Sequence, residues 1–138
     1  MKKTVFLFLL LLSGFGIAQC DSIASRCIKH IGVNYISDGQ QYRALLLNPE
    51  ETAEFRTTMF SETIYRFAAC SGTSDGNLIF SVYDQDRNLI FTNKNHKNAP
   101  YWDFKVKSTF DAIIEGRLDP DRNPGSGCAV LLIGFKQK

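Results

Sequence analysis

Cys128-Ala129-Val130-Leu131-Leu132-Ile133-Gly134-Phe135 constrains the fold more than any other stretch of the 138-residue chain. Seven of these eight residues are apolar or cysteine, so both faces of the segment must be covered. That is the pattern of a strand inside a sandwich rather than at its edge. A buried helix segment has the same apolarity. The run is short, however, carries Val130 and Ile133, contains Gly134 and follows a Pro124-Gly125-Ser126-Gly127 turn signal, all of which favour a central strand.

The N-terminus places the chain in a compartment. Met1-Lys2-Lys3 is a positive head, Val5 to Leu12 is an unbroken apolar run of eight, and Ser13 to Ala18 is rich in small residues. These are the three regions of a secretory signal peptide, expected over residues 1–18. The run is too short for a transmembrane segment, which needs about 20 residues. Cleavage after Ala18 uses small residues at Gly16 and Ala18 and leaves Gln19 first. The alternative is an outer-membrane lipoprotein with a lipid anchor on Cys20, but Gln19 stands where such a signal has Gly, Ala or Ser. Cysteine parity favours the first, because lipidation leaves three thiols and cleavage after Ala18 leaves four.

Removing residues 1–18 takes two lysines, so 16 − 2 = 14 basic residues face 14 acidic ones. A nucleic-acid partner is not expected of a chain without basic excess or cluster. The remaining 138 − 18 = 120 residues, 19–138, suit a single domain with a real core.

Cys20, Cys27, Cys70 and Cys128 are spaced by 7, 43 and 58 residues, which is no zinc pattern, and His30 and His96 sit in no catalytic motif. Disulfides are the default in an oxidising compartment. Of the three connectivities, Cys20–Cys27 with Cys70–Cys128 is favoured, since Cys70 closes one predicted strand and Cys128 opens another. The short bridge requires Cys20 to lie outside the following helix, because seven helical residues span about 10 Å.

That helix is predicted near 21–31, capped by Asp21 or Ser22, with Ile23, Cys27, Ile28 and Ile31 on its apolar face and Gly32 as the stop. Val33 to Ser37, a turn at Asp38-Gly39 and Gln41 to Leu47 read as a hairpin. Alternating runs follow at 53–60, 63–70, 78–83, 89–92, 101–106 and 109–115, separated by turn signals. Many short strands with one helix predict an all-β fold: an antiparallel, jelly-roll-like β-sandwich behind one short N-terminal helix.

The segments Tyr65 to Cys70, Asn77 to Asp84, Tyr101 to Val106 and Gly127 to Phe135, with the spacing of Cys20 and Cys27, resemble a group of small exported bacterial β-sandwich proteins. That resemblance brings no activity with it. More remotely, the strand order is similar to GOLD-type domains and the pre-peptidase C-terminal type of sandwich, which implies an accessory or interaction module and transfers no functional residue.

Three sites invite chemistry. Asp84-Gln85-Asp86-Arg87-Asn88 and Asp119-Pro120-Asp121-Arg122-Asn123 both open like a calcium loop through Asp84, Asp86 and Asn88 or Asp119, Asp121 and Asn123. The pattern then fails, with Leu89 or Pro124 where the sixth-position glycine belongs, and Asp and Asn also favour turns for local reasons. Tyr101-Trp102 suggests a stacking platform for a carbohydrate, yet adjacent strand residues face opposite ways, and Trp102 shares a face with Phe104 and Val106, the pattern of a core. Neither Gly125-Ser126-Gly127 nor Ser71-Gly72-Thr73 has the spacing of a nucleophile elbow or a phosphate loop. The expectation is a non-catalytic protein in the periplasm or outside the cell. It would bind a protein partner or an envelope component and need no cofactor, with calcium as the minority reading. The alternative function is a small-ligand or carbohydrate-binding module.

Overall fold

The computed structural model describes residues 15–122 and 125–137. Residues 1–14 of the expected signal peptide lie outside the described residues, as does Asn123 of the second acidic loop. Helix α1 covers Phe15–Ile31, followed by strands β1 (Ile36–Leu46), β2 (Ala53–Met59), β3 (Thr63–Cys70), β4 (Leu78–Tyr83) and β5 (Leu89–Thr92). After a 3-10 turn at Asn93–His96 come β6 (Tyr101–Val106), β7 (Phe110–Leu118) and β8 (Gly127–Gln137).

Pairing runs inward from both ends of the strand series: β1 with β8, β2 with β7, β3 with β6, β4 with β5, all antiparallel. Rolling up this long hairpin brings β3 against β8 and β4 against β7. The result is two four-stranded sheets, β1-β8-β3-β6 and β2-β7-β4-β5, in jelly-roll order. Met59, Phe67, Phe80, Val82, Ile114, Leu118 and Leu131 fill the space between the sheets.

β8 lies inside its sheet and is buried on both faces. Ala129, Leu131 and Ile133 enter the core between the sheets, whereas Cys128, Val130 and Leu132 pack under α1 with Ile23, Ala24, Cys27 and Ile31. Residues 128–133 are each no more than 2 % exposed, which explains the unbroken apolar run. Gly134 continues the strand where the helix ends. A Cβ there would stand 2.8 Å from Ile31 Cγ2 and 3.1 Å from Tyr35 Cβ, so only glycine lets the last helical turn come this close.

Three local expectations are corrected. The helix begins at Phe15, not near Asp21, and Asp21 pairs with Arg43 on β1 instead of capping. Ile28 points outward, and Ala24 takes a place on the buried face. Asp38-Gly39 makes no hairpin. Ser37 stands opposite Gly134 and Gln41 opposite Leu132, so residues 38–40 form a bulge in one continuous strand whose two halves both pair with β8. The 11-residue β8 is long enough to template both halves, and a bulge uses the same turn-forming residues as a hairpin. Gly32, with φ of 75°, does end the helix as expected.

Candidate functional site

The four cysteines pair, but not in the favoured way. Cys20 bonds Cys128 and Cys27 bonds Cys70, with Cα separations of 5.5 and 5.9 Å. The helical rise that made Cys20–Cys27 doubtful is the reason. Both cysteines lie on the face of α1 turned to the sheet, about 10 Å apart, and each meets a different strand. Cys70 stands opposite Val130, which makes Cys128 its diagonal neighbour, about 7–8 Å away and out of bonding reach. Both bridges therefore tie the helix to the sheet. The first also occupies the sulfur that a lipid anchor on Cys20 would alkylate, so anchor and disulfide exclude one another.

Tyr101 and Trp102 face opposite sides of β6. Trp102 packs against the core, stacked on Phe91 at 4.9 Å between ring centroids, with His96 4.3 Å away. Tyr101 lies on the helix side, stacked with His30 at 5.8 Å and under the Arg66 guanidinium at 4.5 Å. The structure does not bring the two rings to one surface.

The acidic loops turn their first carboxylates inward. Asp84 Oδ1 accepts from the backbone N–H groups of Asp86 and Asn88, both at 2.9 Å, and Oδ2 accepts from Asn88 Nδ2 at 3.0 Å. These bonds, the Asn88 side chain's first, hold the Asp84 carboxyl below its usual range. Asp119 Oδ1 accepts from the Asp121 N–H at 2.9 Å, and Oδ2 from Asn98 Nδ2 at 2.6 Å. Among the described residues no group of three or more His, Cys, Asp or Glu is placed to share a metal ion.

The two ends of the sandwich differ. At one end asparagines sew the loops together: buried Asn93 joins Leu78, Phe80 and Ala99, Asn98 joins Gly76 to Asp119, and Asn77 donates to the Ser71 and Ser74 carbonyls. The other end carries the β2–β3, β4–β5 and β6–β7 turns and is open. Met59, Val82, Ile90, Phe104, Val106 and Phe110 line a cleft of about 280 Å³ there, flanked by Lys105 and Lys107. Phe60, Leu89 and Ile90 are 59, 55 and 49 % exposed in the same region. The cleft exists because β5 is only four residues long and leaves the core-facing side of β6 partly uncovered.

Sequence reasoning also missed Arg66. Its Nε and Nη2 donate to the two Asp103 carboxylate oxygens at 2.7 and 3.0 Å, and Nη1 donates to the last helical carbonyls, His30 O at 3.3 Å and Ile31 O at 3.4 Å. The guanidinium lies between the rings of Tyr35 and Tyr101. Arg66 thus satisfies the negative end of α1 and bonds a carboxylate bidentately. Its bond to Asp103 holds that carboxyl below the usual range against the opposing effect of burial, while burial and the bond to Asp103 push the Tyr35 hydroxyl up. No short-range pattern marks Arg66; only the register that sets it opposite Asp103 does.

A depressed folded-state pKa has a definite consequence. The stability that Asp103 contributes is fully present above its unfolded value of about 4 and is lost as pH falls through its lower folded value. Asp103→Asn is expected to lower the urea midpoint at pH 7 and to flatten its decline below about pH 4. Parallel urea titrations check this, and an unchanged acid limb would show that the pair is electrostatically idle.

Ser71, His30 and Asp75 line one small pocket between α1 and the β3–β4 loop, a grouping with the composition of a hydrolytic triad. The geometry is different. His30 Nε2 lies 2.9 Å from Asp75 Oδ1, and Ser71 Oγ makes no hydrogen bond to either, so no nucleophile is coupled to a base.

The fold is a shared one. The periplasmic g-type lysozyme inhibitor PliG of Aeromonas hydrophila superposes with a TM-score of 0.54 at 12 % identity, covering 76 % of this chain and 89 % of that one. The pre-peptidase C-terminal domain of a Bacillus anthracis collagenase gives 0.52 at 10 % identity, covering 71 and 89 %. At such identities the likeness shows the β-sandwich fold alone, and it agrees with the remote resemblance to the pre-peptidase C-terminal type. No protein-family model matches the chain, and no curated protein matches it in sequence.

Proposed function

We propose that this chain is an exported, non-catalytic protein-binding module whose partner lodges an apolar side chain in the open-end cleft. The observation that carries the reading is the cleft itself, apolar within, with half-exposed Ile90 in its wall and exposed Phe60 and Leu89 next in the chain to its Met59 and Ile90. Apolar groups clustered around a concavity mark interaction sites, and buried anchors in such pockets dominate binding energy. Lys107 at the rim favours a partner whose anchor has an acidic group beside it. Two disulfides fit an oxidising, extracytoplasmic compartment, and no described helix is long and apolar enough to cross a membrane. The Aeromonas protein is an inhibitor of g-type lysozyme, which makes that enzyme the first partner to assay, ahead of other envelope proteins.

The test is affinity capture from envelope extracts, with purified g-type lysozyme in parallel, using wild type, Phe60→Glu and Ile90→Glu. The expected result is one identified partner whose complex weakens at least about tenfold in both variants, in keeping with loss of a buried anchor, while both melt like wild type. Unchanged complexes in both variants would overturn the cleft as the site. A protein that captures nothing but retains a glycan, lost with Trp102→Ala in a variant that still melts like wild type, would establish the carbohydrate-binding alternative instead.

A further inference from the structure

The pocket between α1 and the β3–β4 loop is independent of the open-end cleft and holds an unexplained group. Ser71 is 1 % exposed, and its hydroxyl is the one buried side-chain polar atom among the described residues without a hydrogen-bond partner. Burying a hydroxyl unsatisfied costs about 1–3 kcal/mol, a cost that would be relieved by an occupant of the adjoining pocket once the side chain turns toward it. The pocket Ser71 lines has a volume of about 70 Å³. A water's share of liquid volume is about 30 Å³, so the space exceeds two waters.

The walls are fixed. The Cys27–Cys70 bridge joins helix to strand immediately before Ser71. Gly72 adopts a φ of 66°, and a Cβ there would meet Asn77 Nδ2 at 2.7 Å; that same amide donates to the carbonyls of Ser71 and Ser74 at 3.0 Å each. Arg26 Nη2 donates to Gly72 O at 2.7 Å, leaving its other N–H groups for a ligand. Asp75 Oδ1 is held by His30, which leaves Oδ2 as an acceptor. One cation and one carboxylate offset each other across the pocket, and a hydroxyl that both donates and accepts lies buried beside them. Such a site disfavours a bare ion of either sign. It suits a small neutral group that presents a carbonyl oxygen and an N–H together.

We propose that this pocket binds a carboxamide, the side chain of an Asn or Gln or a peptide group, with the carbonyl toward Arg26, the N–H toward Asp75 and Ser71 bonded to either. The experiment is a two-dimensional amide NMR titration of the full exported chain with acetamide, and with sodium acetate and sodium phosphate at matched ionic strength. Acetamide is expected to give saturable shifts confined to residues 71–75 and to the helix around Arg26 and His30. Ser71→Ala and Arg26→Gln are each expected to weaken that binding about three- to tenfold, the worth of one hydrogen bond. Ser71→Ala should melt no lower than wild type, because it removes an unsatisfied group, and Arg26→Gln keeps the test independent of the core. Linear, non-saturating shifts would mean that ordered water alone fills the pocket, and saturable binding indifferent to both variants would mean that acetamide binds without these groups; either would overturn the proposal. Preferential saturation by acetate or phosphate would overturn it in favour of an anion site.

Discussion

Leu131→Asp is expected to yield no folded protein. Leu131 is 2 % exposed on the inner face of β8, in a core cluster of apolar groups from both sheets. An unpaired charge at such a position costs more than about 4 kcal/mol, against a total stability of about 5–15 kcal/mol for a domain. Leu131→Ala and Leu132→Ala separate the two faces of the strand. The first opens a cavity between the sheets and the second a cavity under α1, and each is expected to cost about 2–5 kcal/mol. Circular-dichroism melts check all three. A soluble Leu131→Asp variant melting like wild type would show that β8 is not the centre of the sandwich, and a silent Leu132→Ala would show that α1 does not cover it.

Removing either disulfide is expected to be nearly as damaging. The bridges close 108 and 43 residues of sequence, for which the chain-entropy relation gives at most about 4–5 kcal/mol each. A loss of about 4 kcal/mol lowers the melting temperature by about 15 °C in a domain of this size. Cys20→Ala/Cys128→Ala should be the worse of the two pairs, because it frees the longer loop, whereas Cys27 and Cys128 are both buried and either loss leaves a similar cavity. Release of the helix would uncover Val130 and Leu132, so the variant should bind a dye specific for exposed apolar surface before it melts. A double variant melting within about 2 °C of wild type would show that packing alone holds the helix.

The sandwich was legible because its signal is local: alternation along each strand, turn residues between strands, and one run apolar on both faces. The opposite facing of Tyr101 and Trp102 followed from the same two-residue period. What failed depended on contacts remote in sequence. Asp38-Gly39 has identical chemistry in a turn and in a bulge, and only the length of β8 decides between them. The cysteine pairing depended on which helix face meets which strand, information that spacing does not contain. Arg66 is one of 16 basic residues until the register of β3 and β6 sets it opposite Asp103. The open cleft had one sign in the chain: consecutive Leu89, Ile90 and Phe91 in a short strand cannot all face the core. The buried hydroxyl of Ser71 had none, since a serine before a glycine reads as an ordinary loop.

The seating of the helix and the walls of the pocket beside it depend on how the cysteines pair. Trypsin is well suited to the question, because Arg26 separates Cys20 from Cys27. Non-reducing digestion followed by mass spectrometry is predicted to find the peptide ending at Arg26 linked to residues 123–136, and residues 27–29 linked to residues 67–87. The peptide ending at Arg26 linked to residues 27–29, with 67–87 linked to 123–136, would contradict the account.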